Sequence, residues 1–75
     1  MEYNKKITGM VIGRIRNERG LSQEVLSGLA GIARSHLAMI DTGSNSASVE
    51  TLWRIADAFG MRLSELMSLV EEELY

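Results

Sequence analysis

An all-α domain of five short helices is the fold class this chain predicts, on three observations. Apolar residues recur at helical spacing along its length, with no sustained alternation of the kind a half-buried strand needs. Glycines at 20, 31, 43 and 60 punctuate that pattern, and no proline is present. The chain has 75 residues, 45% of them apolar. That suits one small domain over residues 1–75 and leaves no room for a second.

Each helix follows from its own stretch. Ile7, Val11, Ile12 and Ile15 form a stripe that ends at Gly20, so helix one is expected over about residues 5–19. Gly9 and Gly13 weaken it by propensity and either allow a close helix approach or loosen its start. Ser22 is a good N-cap, with Gln23 and Glu24 in the first turn and Val25, Leu26, Leu29 and Ala30 at helical spacing. Helix two therefore runs over about 23–30. Helix three starts near Arg34, carries Leu37 and Ile40 inward and closes at Gly43. Ala33 precedes it without a capping oxygen. The run GSNSAS, Gly43 to Ser48, is a loop. Ser48 then caps helix four, whose Leu52, Ile55, Ala56 and Phe59 make a clean amphipathic stripe ending at Gly60. Ser64 is the expected cap of helix five, in which Leu66, Met67 and Val70 point inward or toward a partner. The acidic tail, residues 71–75, is expected to fray.

The stretch SQEVLSGLAGIARSHLAMI carries the functional signal. Here a helix stops at Gly31 and another begins three residues later. Gly31 supplies a positive φ that few residues tolerate. Two short helices joined by so tight a turn cross at a wide angle, as in a helix-turn-helix over about residues 22–42. Ser27 is small enough to let the second helix cross closely. Leu26, Ala30, Ile32, Leu37 and Ile40 lock the angle. Arg34, Ser35, Ala38 and Met39 are left exposed on the third helix, with His36 at its flank.

Charge is divided along the chain. The net charge is −2, yet residues 1–40 carry six basic against three acidic side chains and residues 41–75 carry two against seven. A polyanion would face the first half and be kept off the second. Enzymatic chemistry finds no support. There is no cysteine and only one histidine, so neither a metal cluster nor a cysteine nucleophile is available, and no cofactor is expected. Ser35 and His36 are adjacent, so on a helix their side chains diverge. No stretch reads as a membrane span or a signal-peptide core, and the expectation is a cytoplasmic protein.

The stretches IGRIRNERGLSQEVL, LAGIARSHLAMIDTG and SVETLWRIADAFGMRLSEL together resemble the lambda-repressor-like, Xre/Cro-type DNA-binding domains. The likeness covers roughly Ile12 to Leu66. It rests on GLSQ, the turn glycine Gly31, the Asp41-x-Gly43 end of helix three and the TLxxIAxAxG pattern of helix four. The resemblance implies a five-helix lambda-repressor-like domain that binds double-stranded DNA through helix three, usually as a homodimer on a pseudo-palindromic operator. It departs from the family pattern at Ser27, where alanine is common, at Ala33, where serine or threonine is common, at Ala47, where proline is common, and at Asp41, where glutamate is commoner.

The same resemblance implies roles. Arg34 and Ser35 open the recognition helix; Arg34 either reads a guanine edge or holds a phosphate. Ala38 and Met39 offer apolar contact to a base. Gln23, at the positive end of helix two, is placed for a backbone phosphate, with Arg19, His36, Ser44 and Asn45 as further phosphate candidates. The loop lacks the lysine or arginine that many relatives carry. Arg16 and Asp41 match a structural ion pair between helix one and the end of helix three. A surplus of apolar residues near the C-terminus assigns Trp53, Met61, Leu63, Met67 and Val70 to a dimer interface. The competing expectation is a protein-interaction module that keeps the fold and has lost specific DNA binding.

Overall fold

In the computed structural model, residues 2–75 are described, and five helices account for most of them. They are α1 (Lys5–Glu18), α2 (Gln23–Ala30), α3 (Arg34–Asp41), α4 (Val49–Ala58) and α5 (Leu63–Leu74). Local chemistry sets most of their starts. Asn4 caps α1, its Oδ1 accepting from the Lys6 N–H at 2.9 Å. Ser22 and Ser48 cap α2 and α4, each accepting from a backbone N–H three residues on, at 3.1 Å. Ala33 gives α3 no side-chain cap.

Two expectations at the C-terminal end are corrected. Helix α5 begins at Leu63 behind Arg62, and Ser64 lies inside its first turn. The reason is Glu65, whose carboxylate reaches back to accept the Arg62 N–H at 3.0 Å, as in one half of a capping box. The tail over 71–75 is helical through Leu74. Glu73 anchors it across the molecule by accepting from Arg14 at 2.6 Å. That carboxylate holds the Arg14 guanidinium above its ordinary pKa.

The core is a single cluster to which every helix contributes: Val11, Ile12 and Ile15 from α1, Leu26 and Ala30 from α2, Leu37 and Ile40 from α3, Leu52, Ile55 and Ala56 from α4, and Leu66 and Val70 from α5, with Phe59 just past α4. Val25 and Leu29, which share the helical spacing of α2, are exposed. In a helix of eight residues only a narrow stripe faces inward, and Leu26 and Ala30 fill it. Val70 is fully buried in this core. It therefore leaves the partner-facing set, because a side chain with no exposed area cannot meet a second chain.

Helix α1 lies very close to the end of α3. A Cβ built on Gly9 would clash with the Ile40 carbonyl oxygen and stand 2.8 Å from that of Asp41. The glycine is thus an approach site, as one of the two sequence expectations had it. Gly13, one turn on, has nothing within 4 Å of the same position.

Candidate nucleic-acid interface

The turn between α2 and α3 is built as the sequence requires. Gly31 closes α2 in the left-handed region, at φ 68 and ψ 35. Its neighbour Ile32 donates its N–H back to the Ser27 carbonyl at 3.0 Å. Ser27 itself is buried, and its hydroxyl is satisfied by the Glu24 carbonyl at 3.0 Å. The extra oxygen relative to alanine therefore leaves no orphaned donor in the crossing.

Helix α3 stands on Leu37 and Ile40, both buried, and turns its other face outward. Arg34, Ser35 and Met39 are exposed, and Ala38 and His36 are half-buried. The Arg34 side chain takes part in none of the hydrogen bonds or ion pairs among the described residues, so its guanidinium is available to a ligand. Met39 is held from both ends. Its carbonyl accepts the N–H groups of Ser44 at 2.9 Å and Asn45 at 3.2 Å, and its sulfur lies 3.8 Å from Asn45 Nδ2.

That arrangement changes the reading of the loop. The backbone donors of Ser44 and Asn45 close the end of α3 and do not point outward to a phosphate. Only side chains remain for that role, and the Ser44 hydroxyl is already shared with Thr42 at 2.9 Å. Arg19 also has a partner within the chain. It donates to the Phe59 carbonyl, and its guanidinium carbon lies 5.4 Å from the centre of the Phe59 ring. Its place is the junction of α1 with the end of α4, where it caps a helix C-terminus. Sequence reading had no signal for that partner, 40 residues away.

Gln23 lies at the first position of α2, half-buried, and donates to Asp41 Oδ2 at 3.0 Å. One amide hydrogen is thereby fixed, and the other is left for a ligand. Arg16 meets the same Asp41 oxygen at 3.5 Å and donates to the Leu21 carbonyl at 2.9 Å. The pair is largely enclosed, with the side chains 16% and 10% exposed. Its geometry is loose for a guanidinium and carboxylate, since Arg16 Nε and Asp41 Oδ1 are buried without partners. Asp41 is one methylene shorter than the glutamate common in the family pattern, and it reaches Arg16 with one oxygen only. Two helices and the first residue of α2 are nonetheless tied at this point.

Comparison with known proteins decides the family. The helix-turn-helix model HTH_3 matches residues 12–66. This chain belongs to the lambda-repressor-like helix-turn-helix family. It is 31% identical over 68 residues to the uncharacterized HTH-type transcriptional regulator y4dJ of Sinorhizobium fredii, a match that covers 91% of this chain and 88% of that protein. It is 37% identical over 68 residues to the immunity repressor protein of Bacillus phage phi105, covering 87% of this chain but 47% of that one. Among solved structures, the restriction-modification controller protein C.AhdI from Aeromonas hydrophila superposes with a TM-score of 0.79 at 29% identity, over 83% of this chain and 94% of its own. The controller protein C.Esp1396I shares the fold at a TM-score of 0.86 and 20% identity, over 99% of this chain and 95% of its own.

Two basic residues outside the sequence-derived set lie beside this helix-turn-helix. Lys5 Nζ donates to the Ser44 carbonyl at 3.2 Å, and the Lys6 stem packs on Gly43. The signal for them was the basic excess of the first half. It names the charges but not the loop they fold against. Trp53, Met61, Leu63 and Met67 line an open, largely apolar cleft at α4 and the start of α5, together with Asp57 and Arg62. Among the described residues no helix is long and apolar enough to cross a membrane.

Proposed function

We propose that this chain is a sequence-specific DNA-binding transcriptional regulator of the cytoplasm, and that it acts without catalysis by occupying an operator as a homodimer. The observation that carries this reading is the presentation of α3. Leu37 and Ile40 lock the helix, while Arg34, Ser35 and Met39 project from it with no competing carboxylate on Arg34. Arginine is the commonest reader of a guanine edge in the major groove, and methionine suits a thymine methyl. Gln23 at the positive end of α2 fixes the register against a phosphate. A family whose members bear the names immunity repressor and transcriptional regulator supports the same role.

The homodimer reading rests on the cleft of Trp53, Met61, Leu63 and Met67. Trp53 is 63% exposed. A small core gains from covering such a face, and Asp57 and Arg62 in its lining are charge-complementary to a copy of themselves. A two-fold contact there would set two α3 helices one DNA turn apart, about 34 Å, on one side of the duplex.

Selection from a random duplex library, followed by titration of the selected duplex and of an unselected one, tests the reading. The selected duplex should bind more tightly. Arg34→Ala should weaken its binding by about 1–3 kcal/mol and affect the unselected duplex much less. Equal losses on both would move Arg34 to a phosphate. No enrichment and no binding would leave the fold as a protein-interaction module.

A further inference from the structure

The chain carries eight basic side chains against ten acidic ones, and much of that positive charge is already engaged. Arg14 pairs with Glu73 and Glu18, Arg16 with Asp41, and Arg54 with Glu50. The loop that follows α3, Gly43 to Ser48, contains no basic residue. Its Ser44 and Asn45 N–H groups are turned back onto Met39. A duplex lying against α3 would find no cation from the loop itself on that side.

The first turn of α1 supplies what the loop lacks. Lys5 Nζ lies 3.2 Å from the Ser44 carbonyl oxygen. A carbonyl neutralises no charge, and two of the three ammonium donors remain for another acceptor. Lys6 crosses Gly43 so closely that a Cβ there would stand 2.6 Å from Lys6 Cγ. Both lysines are exposed, and neither is in an ion pair among the described residues. Tyr3, Asn4, Lys5, Lys6 and Ser46 line one open cleft between this turn and the loop. An eight-residue α3 is about 12 Å long, close to the width of a major groove, about 12 Å. Arg34 marks one end of that length and the lysine pair lies beyond the other.

We propose that Lys5 and Lys6, beside the Ser44–Ser46 loop, form a phosphate clamp for the backbone of duplex DNA. The clamp rests on the reading that α3 enters the major groove, and it assigns to α1 the electrostatic role the loop cannot fill. Lysine suits it, because a phosphate held by a mobile point charge fixes position without reading sequence.

The test is fluorescence anisotropy of the full chain with a labelled random-sequence duplex across a salt series. The variants are Lys5→Gln with Lys6→Gln, and Lys5→Arg with Lys6→Arg. Two lost phosphate contacts should lower the slope of log affinity against log salt by about 1.8, about 0.9 for each. The advantage of the parent over the glutamine variant should therefore shrink about tenfold between about 50 and about 200 mM salt. The arginine variant should keep the parent slope, and thermal melts of all three should coincide. A parent slope retained by the glutamine variant overturns the clamp and leaves DNA binding standing. A parent that binds no duplex at the lowest salt overturns both.

Discussion

The seam between α1 and α3 and the face between α4 and α5 are built on opposite principles. At the seam, backbone meets backbone. Gly9 lies against the Ile40 and Asp41 carbonyls, and Arg16, Gln23 and Asp41 close the polar edge. At the α4–α5 face, half-buried apolar side chains rest on the core and leave their outer sides uncovered. Trp53, Met61, Leu63 and Met67 border an open cleft of 660 Å³. The seam fixes the end of α3 and, at Gly9, leaves no room for a side chain. The face is a surface that a second molecule could complete. If the proposed dimer forms through the cleft, substitutions in the two regions should separate stability from assembly.

The largest effect is expected where the seam is tightest. Gly9→Ala places a methyl group where the Ile40 carbonyl already stands, and a carbonyl in a helix cannot move aside as a side-chain tip can. Overpacking of this kind costs about 3 kcal/mol. For a domain of this size the melting temperature should fall by about 10 °C or more. A Gly9→Ala protein that melts with the parent would show that the seam opens freely, and the contrast with the α4–α5 face would lose its basis.

The polar edge of the seam comes next. Arg16→Met strands Asp41 against a single remaining donor from Gln23. A stranded, mostly buried carboxylate should cost about 2 kcal/mol, below the full figure for a buried pair because some solvent reaches it. Asp41→Asn should cost less, since the amide still accepts from Gln23. Chemical denaturation of both single variants and of the double gives the coupling energy. A coupling near zero would mean that Arg16 acts only through the Leu21 carbonyl.

What the sequence could and could not show follows the same division. Periodicity and capping chemistry are local, so the five helices and the Gly31 turn were legible within a residue or two at most boundaries. The errors are nonlocal or turn on one helical step. Three consecutive glutamates read as a fraying tail, because Arg14 lies 59 residues from Glu73 and no window contains both. Ser64 read as a cap because its hydroxyl is a good acceptor, yet Glu65 reaches back to Arg62 instead. Val70 and Met67 are three apart on one apolar stripe, but Val70 shares the inward line of Leu66 and Met67 flanks it. Arg34, Ser35 and Met39 were legible because exposure on α3 follows from the positions of Leu37 and Ile40. Lys5 and Lys6 were not, because only the folded chain brings them to Ser44.

On the open face the expected effect lies in assembly more than in stability. Met67→Asp puts a carboxylate at a half-buried position of the cleft, where water still reaches it. The monomer should lose about 1 kcal/mol or less, within the ordinary range for a partly exposed site. Sedimentation across micromolar concentrations should show the parent associating and Met67→Asp remaining monomeric. A parent that is monomeric throughout, with Met67→Asp only lowering its melting temperature, would make this cleft part of the monomer's own packing and erase the difference between the two regions.

The smallest effect has the opposite sign and measures how local the seam is. Gly13 lies one helical turn beyond Gly9, on the same face of α1, about 6 Å further along the axis. Nothing lies within 4 Å of the Cβ it lacks, and with Gly9, Arg16, Gln23 and Asp41 it borders an open groove. The helices have therefore diverged within a single turn, and the polar side chains of Arg16 and Gln23 span the gap that opens. A glycine in such a place gives no close approach and only adds freedom to the unfolded chain. Gly13→Ala should accordingly stabilise the protein by about 0.5–1 kcal/mol, raising the melting temperature by about 2–8 °C. Two glycines four residues apart in one helix would then respond to the same methyl group with opposite signs. If Gly13→Ala instead melts below the parent, α3 must approach α1 along two turns, and the seam is longer than the contact at Gly9.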